Sequence, residues 1–135
     1  MAAGLALSGI NAQAADTWTG ANSANWNASN WTGGNNPPQS GDSLIFTSAT
    51  GAGGTALNDN LTSPSFNLAN ITFNAGAAAF TVGGNAFNLT GNLTNSSTSP
   101  ETINDPFSLA AAETFTTTTG GGNLALGAAS AGPGA

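Results

Sequence analysis

The sequence contains no lysine, arginine or histidine, so its six acidic residues leave a formal net charge of −6 with no side-chain cation to oppose them. A chain without basic residues cannot neutralise phosphates, which excludes electrostatic binding of nucleic acid and attraction to anionic lipid headgroups. It also has no side-chain amine to form a Schiff base and no guanidinium to clamp a carboxylate. Cysteine is missing as well, and its absence together with that of histidine removes thiolate chemistry, imidazole base catalysis, the usual zinc ligands and disulfides. No apolar run approaches the roughly 20 residues that span a bilayer, so membrane insertion by this segment is not expected. Charged residues make up only 4% of the chain, against about one quarter in an ordinary soluble domain.

What is present is polar, uncharged and rich in turn formers. Asn, Thr, Gly and Ala dominate the 135 residues, with 19 Gly, 7 Phe and 3 Trp. A chain of this size buries about two-thirds of the surface it exposes when unfolded, enough for one domain. Its apolar residues recur in short triplets: Leu44-Ile45-Phe46, Phe66-Asn67-Leu68, Ile71-Thr72-Phe73, Phe80-Thr81-Val82, Phe87-Asn88-Leu89 and Phe107-Ser108-Leu109. Each is a period-two strand fragment with its outer two side chains on one face. Turn formers separate them, among them Gly51 to Gly54, Asn58-Asp59-Asn60, Asn74-Ala75-Gly76, Gly83-Gly84-Asn85 and Asn95 to Pro100. Phe66, Phe73, Phe80 and Phe87 recur every seven residues, but Gly83-Gly84 and the lack of charged flanking positions argue against a coiled coil. The spacing predicts an all-β solenoid with a narrow apolar core and coils of about 20 residues, the short end of solenoid repeats, so that residues 41–126 hold about four coils.

Four zones follow. Residues 1–14 read as the remnant of a signal peptide: Met1 to Ile10 is small and apolar, and Ala12-Gln13-Ala14 has the A-x-A form of a cleavage site, placing the cut between Ala14 and Ala15. Residues 15–40 hold Trp18, Trp26 and Trp31 and close on Pro37-Pro38, which predicts a Trp-, Asn- and Gly-rich N-terminal cap. Residues 41–126 are the expected β-solenoid coils, and residues 127–135 the truncated start of a further repeat.

Several of these segments together resemble the opening of bacterial exported proteins with autotransporter-associated β-strand repeats. The resemblance rests on Trp18-Thr19-Gly20, Asn25-Trp26, Asn30-Trp31, Pro37-Pro38 and Gly41-Asp42-Ser43-Leu44-Ile45-Phe46. It continues through Ile71-Thr72-Phe73 to Leu89-Thr90-Gly91-Asn92-Leu93, and Gly120-Gly121-Gly122-Asn123-Leu124-Ala125-Leu126-Gly127 is similar to the start of the Gly-x-Gly-x-Leu-x-Leu repeat. It implies a right-handed parallel β-helix in a secreted or surface-displayed passenger, extracellular or associated with the outer membrane. Thr118 or Thr119 replaces the usual Lys before the Gly-x-Gly, and the Asn-x-Tyr-x-Gly that should follow is missing.

Few side chains remain for chemistry. Trp18, Trp26 and Trp31 offer two expectations: a platform stacking on the sugar rings of an extracellular polysaccharide, or a cover for the open strand edges at one end of the solenoid. The carboxylates are Asp16, Asp42, Asp59, Glu101, Asp105 and Glu113. Glu101 and Asp105 are the closest sequence pair of the kind used in glycoside hydrolysis, yet Asp105 precedes Pro106 and Asp42 follows Gly41, both ordinary turn positions. Calcium is the one common metal whose oxygen ligands are available, at Asn58-Asp59-Asn60 or Asn104-Asp105, but neither an EF-hand loop nor the nonapeptide calcium repeat is found. Gly120-Gly121-Gly122 lacks the Lys-Ser/Thr of a phosphate loop, and one run from Thr116 to Thr119 is not a repeated Thr-x-Thr ladder. The expectation is a non-enzymatic exported structural or adhesive repeat protein without cofactor or metal, which self-associates through its solenoid edges. A carbohydrate-binding module built on the Trp cluster is the alternative.

Overall fold

The computed structural model describes residues 13–62 and 66–127, which form thirteen β-strands and no helix. The first sheet contains β1 (Ala15–Trp18), β2 (Trp31–Thr32), β3 (Ser43–Phe46), β6 (Ile71–Phe73), β9 (Leu93–Asn95) and β12 (Phe115–Thr117), in the order β2-β1-β3-β6-β9-β12. The second contains β4 (Ala56–Asp59), β7 (Thr81–Gly84), β10 (Glu101–Ile103) and β13 (Leu124–Leu126), stacked in that order. The third is β5 (Asn67–Leu68), β8 (Phe87–Leu89) and β11 (Phe107–Leu109). Each strand pairs in parallel with its equivalent one coil later, and only β1 with β2 is antiparallel. The chain is thus a parallel β-solenoid of about three turns, with one strand of each sheet in every complete coil.

Complete coils run β3-β4-β5, β6-β7-β8 and β9-β10-β11, followed by β12 and β13 alone. The expected four coils are therefore three and a part. The first coil is the reason: equivalent turn residues Ser43 and Asn70 are 27 positions apart, whereas Asn70, Asn92 and Thr114 follow at intervals of 22. The seven-residue spacing of phenylalanines also acquires a geometric meaning. Phe73 is on β6, Phe80 enters β7 and Phe87 is on β8, so seven residues carry the chain from one side of the coil to the next, and three such steps close a turn.

Most strand segments show the alternation of buried and accessible residues that a half-buried strand requires. Inward side chains stack into columns along the solenoid axis: Leu44, Ile71 and Leu93 in the first sheet, Leu57, Val82 and Ile103 in the second, Leu68 and Leu89 in the third. Phenylalanines stack too, Phe46 on Phe73 at 5.0 Å and Phe87 on Phe107 at 5.5 Å between ring centroids. Outside, Asn88 Nδ2 donates to Asn67 Oδ1 at 3.1 Å and Ser108 Oγ continues the ladder onto Asn88 Oδ1. The side-chain oxygens of Asn70 and Asn92 each accept a backbone N–H from the turn of the next coil, at 2.9 and 3.2 Å. The abundance of asparagine is thereby explained, since an amide stacked on an amide satisfies backbone groups that the short turns leave over.

The expected signal-peptide remnant falls, up to residue 12, outside the described residues, and so does the expected further repeat beyond Gly127.

Candidate functional site

The two ends of the solenoid differ. At the N-terminal end all three sheet edges are covered by the segment that precedes the first coil. The β1–β2 ribbon lies on β3, the chain at Ala24 to Trp26 exchanges hydrogen bonds with Asn58 of β4, and Gly41 N donates to Asn67 O of β5 at 2.8 Å. Trp18, Trp26 and Trp31 fill the space beneath, at 0, 1 and 3% exposure. Trp31 meets Trp18 and Trp26 edge-on at 5.0 and 5.8 Å, and all three rings lie about 6 Å from Phe46 of the first coil. Trp31 Nε1 donates to Trp26 O at 2.8 Å. A carbohydrate platform needs indole faces open to solvent; here those faces are core surface, and the expectation that they stack on sugar is corrected to packing on Phe46. At the other end β11, β12 and β13 each pair on one side alone among the described residues, and Phe115 is 41% exposed.

The larger surprise concerns the acids. Asp16, Glu101 and Asp105 have no exposed surface and Asp59 and Asp42 only 2 and 4%, so five of the six carboxylates lie inside a chain that contains no side-chain cation. Assigning Asp42 and Asp105 to ordinary turns accounts for their backbone but not for their burial. Sequence reasoning overlooked a signal that was present: Glu101, Ile103, Asp105 and Phe107 are spaced by two, and all four point inward. Asp59 stands in the same relation to Leu57, and Asp16 to Trp18.

Three arrangements result. Asp16 and Asp42 form a pair beneath the cap. Asp42 Oδ1 accepts from Ala14 N at 3.1 Å, and its Oδ2 accepts from Gln39 N at 2.7 Å and Asn35 Nδ2 at 2.8 Å. Asp16 Oδ1 accepts from Asn35 N, while its Oδ2 is buried without a donor. Burial raises Asp16 to about 6, the Asn35 N–H opposing this and Asp42 adding to it. Burial would raise Asp42 too, but the hydrogen bonds from Asn35, Gln39, Asp16 and Ala14 outweigh it and hold that carboxyl below its ordinary value. The two shifts fit one proton carried on Asp16 and donated to Asp42, which gives the orphaned Oδ2 its partner.

Asp59 and Asp105 form the second pair. Asp59 is in register with Gly84 of β7, and Asp105 lies two residues past Ile103, the partner of Val82, so the two acids flank Gly84 in one column. Gly84 has φ +139°, and a Cβ there would stand 2.1 Å from Asp59 O, so glycine is what lets the backbones close at this point. Neither oxygen of Asp105 finds a partner. Burial, and then the charge of Asp59, push Asp105 up to about 7, and burial, against the Leu61 N–H, raises Asp59 to about 6. The structure thus unites two acids from separate stretches considered for calcium. Among the described residues no three acidic side chains gather as metal ligands. Glu101 and Asp105, the closest acids in the sequence, go to different places: Glu101 enters β10 in the column of Phe80 and Leu124, and Asp105 turns toward Asp59.

Glu101 is the third arrangement. Its Oε2 accepts from Phe80 N at 2.8 Å and its Oε1 lies 3.1 Å from Ser97 Oγ, which is itself 2.8 Å from Asn95 Oδ1. Asn95 Nδ2 donates to Ser99 O at 3.0 Å and to Gly122 O at 3.1 Å. A serine hydroxyl has a single proton. If Ser97 gives it to Asn95, Glu101 must bring its own proton to Ser97, in keeping with a carboxyl that burial raises to about 7 against the Phe80 N–H and Ser97 bonds. In each arrangement burial raises at least one carboxyl toward neutrality, to about 6 or 7, and the Asp16–Asp42 pair lies beside an open hollow that Asp42 helps to line.

No protein-family model, no curated protein and no solved structure matches this chain.

Proposed function

We propose that this chain is a non-enzymatic, exported structural and adhesive repeat segment, a stalk or surface piece of the autotransporter-passenger kind displayed outside the cell at the outer membrane. The observation that carries this reading is the stacked parallel solenoid, whose N-terminal end has all three sheet edges covered and whose last described strands, β11, β12 and β13, pair on one side alone among the described residues, with Phe115 exposed. Free parallel edges without a lysine to guard them are templates for further strands. In the 135-residue chain a second copy seated edge to edge on β11, β12 and β13 buries Phe115 and pairs those backbone groups, taking the place that a following repeat holds in a longer chain. Outward positions support the same reading, since Thr72, Thr94 and Thr116 form a single column of uncharged side chains along the first sheet. The buried carboxylates leave Glu113 as the one acid of the described residues outside the interior, a poor basis for acid–base catalysis.

Sedimentation velocity over a range of concentrations tests the edge directly. The wild-type chain is expected to associate as concentration rises and Phe115→Lys to stay monomeric, because a charge at the edge is what natural sheets use to prevent such pairing. A wild-type chain that remains monomeric at high concentration refutes the reading.

A further inference from the structure

Export of the kind just proposed involves removal of a leader, and the inference below rests on that reading. The bond singled out by Ala12-Gln13-Ala14 joins Ala14 to Ala15, and Ala15 is the first residue of β1, immediately before the buried Asp16. All thirteen strands lie within residues 15–126, so the cut leaves every strand in the mature chain. Hydrolysis there consumes one water: the amide C–N bond breaks, Ala14 departs with a carboxylate, and Ala15 keeps an α-amine that is protonated at neutral pH. Residues 15–135 contain no lysine, arginine or histidine, so that ammonium is the single cation within them.

Its position is set by the fold. A Cβ built on Gly34 would lie 2.3 Å from Asp16 Oδ1 and 3.3 Å from Ala15 N, so nitrogen and carboxylate flank one small space and are no farther apart than those two distances end to end. Ala14 N is one of the three donors to Asp42 and leaves with the leader. Asp16 Oδ2, fully buried, has no donor at all. Beside these groups is an open hollow of about 860 Å³ lined by Gln13, Ala14, Gly34, Asn35, Gln39 and Asp42, into which a new chain end can turn. The only ionisable side chain facing Asp16 is Asp42; the neighbouring donor is the neutral Asn35.

We propose that removal of residues 1–14 makes the α-ammonium of Ala15 the resident counter-ion of the Asp16–Asp42 carboxyl pair, so that maturation turns a proton-sharing acid pair into an ion pair that locks β1 onto the first coil. The three N–H bonds of an ammonium replace the Ala14 donor to Asp42 and supply the missing one to Asp16.

Three chains test it: the 135-residue chain, the chain beginning at Ala15, and the latter with its α-amine acetylated. Carboxyl-carbon NMR follows the titration of Asp16, and amine NMR that of Ala15. With the free amine, Asp16 is expected to titrate at least about one pH unit lower than in the acetylated chain, and the amine about one unit above the ordinary 7.7–8.0. Equal Asp16 titration in the two chains, or an amine at its ordinary value, overturns the pairing. Cleavage also removes Ala14 O, the acceptor of Ser43 N at 2.8 Å, so stability is compared between the free-amine and acetylated Ala15 chains, which both lack it, and a free-amine chain no more stable than the acetylated one overturns the pairing as well. The mass of the N-terminal peptide of the exported protein is read separately. A start at Ala15 supports the maturation step, and a start elsewhere overturns it together with the proposed cut, whatever the titrations show.

Discussion

Replacing Glu101 by glutamine keeps the shape of the side chain and removes its proton chemistry. The amide oxygen of Glu101→Gln can accept from Phe80 N, and its NH2 can donate to Ser97 Oγ, whose hydroxyl, 3.1 Å from Glu101 Oε1 in the wild type, then turns to Asn95 Oδ1. The wild-type carboxyl is raised from 4.5 to about 7, chiefly by burial. A group whose folded-state pKa lies above its unfolded one binds more protons when folded, so its stabilising contribution is complete below the unfolded value and is lost as pH climbs to the folded one. The window is therefore pH 4.5 to about 7. One pKa unit corresponds to about 1.4 kcal/mol, which makes the loss across that window about 3 kcal/mol. Against a domain stability of about 5–15 kcal/mol this is a large fraction. The other acids titrate in both proteins and cancel in the difference as long as they do not couple to Glu101, and none of them contributes to its shift. Urea denaturation of both proteins at pH 4, 6 and 8 reads the effect. Glu101→Gln is expected to match the wild type near pH 4 and to exceed it by about 3 kcal/mol at pH 8, corresponding to roughly 10 °C in Tm for a domain of this size. A wild-type-minus-variant difference that does not change with pH refutes the argument, and so does a wild type that is the more stable protein at pH 8.

The Asp59–Asp105 pair makes a second prediction: Asp59→Asn removes the charge that adds to the effect of burial, so Asp105 should titrate below about 7 by carboxyl NMR yet stay above 3.8, because desolvation is the larger cause. An unchanged midpoint would separate the two acids. Gly84→Ala puts a Cβ 2.1 Å from Asp59 O at φ +139° and is expected to cost about 2 kcal/mol or more in thermal or urea unfolding; a neutral substitution would show that the β4–β7 contact can relax.

Much of the fold was legible locally. Triplets such as Ile71-Thr72-Phe73 and Phe87-Asn88-Leu89 display their strand period without any tertiary information, and the Gly- and Asn-rich separators mark their ends. The three-sided coil was legible in principle from Phe73, Phe80 and Phe87, because a spacing of seven is one third of the turn. The coil count was harder. Turn lengths set it: separators 47–55 and 60–66 are longer by two and by four residues than their counterparts one coil later, which stretches the first coil to 27 residues and leaves room for three complete coils. The Trp cluster showed a compact aromatic zone but not whether its faces point in or out, since Trp18, Trp26 and Trp31 have no common period. The pairing of Asp59 with Asp105 was hidden for another reason: the two are joined by the stacking of coils across Gly84, not by any spacing along the chain.

Composition by itself determined which side-chain chemistries these 135 residues lack, because residues without a basic side chain or a thiol lack them in any conformation. Local pattern determined strands, turns and the solenoid class, because alternation of apolar and polar residues acts over two or three positions. Tertiary structure alone decided that the acids go inside and which of them meet. A local rule gives Asp105, next to Pro106, to a turn, and gives Glu101 to solvent. Their burial comes from the column in which coil stacking sets them, Glu101 between Phe80 and Leu124 and Asp105 beside Asp59, and with no side-chain cation to oppose it that burial raises both carboxyls to about 7.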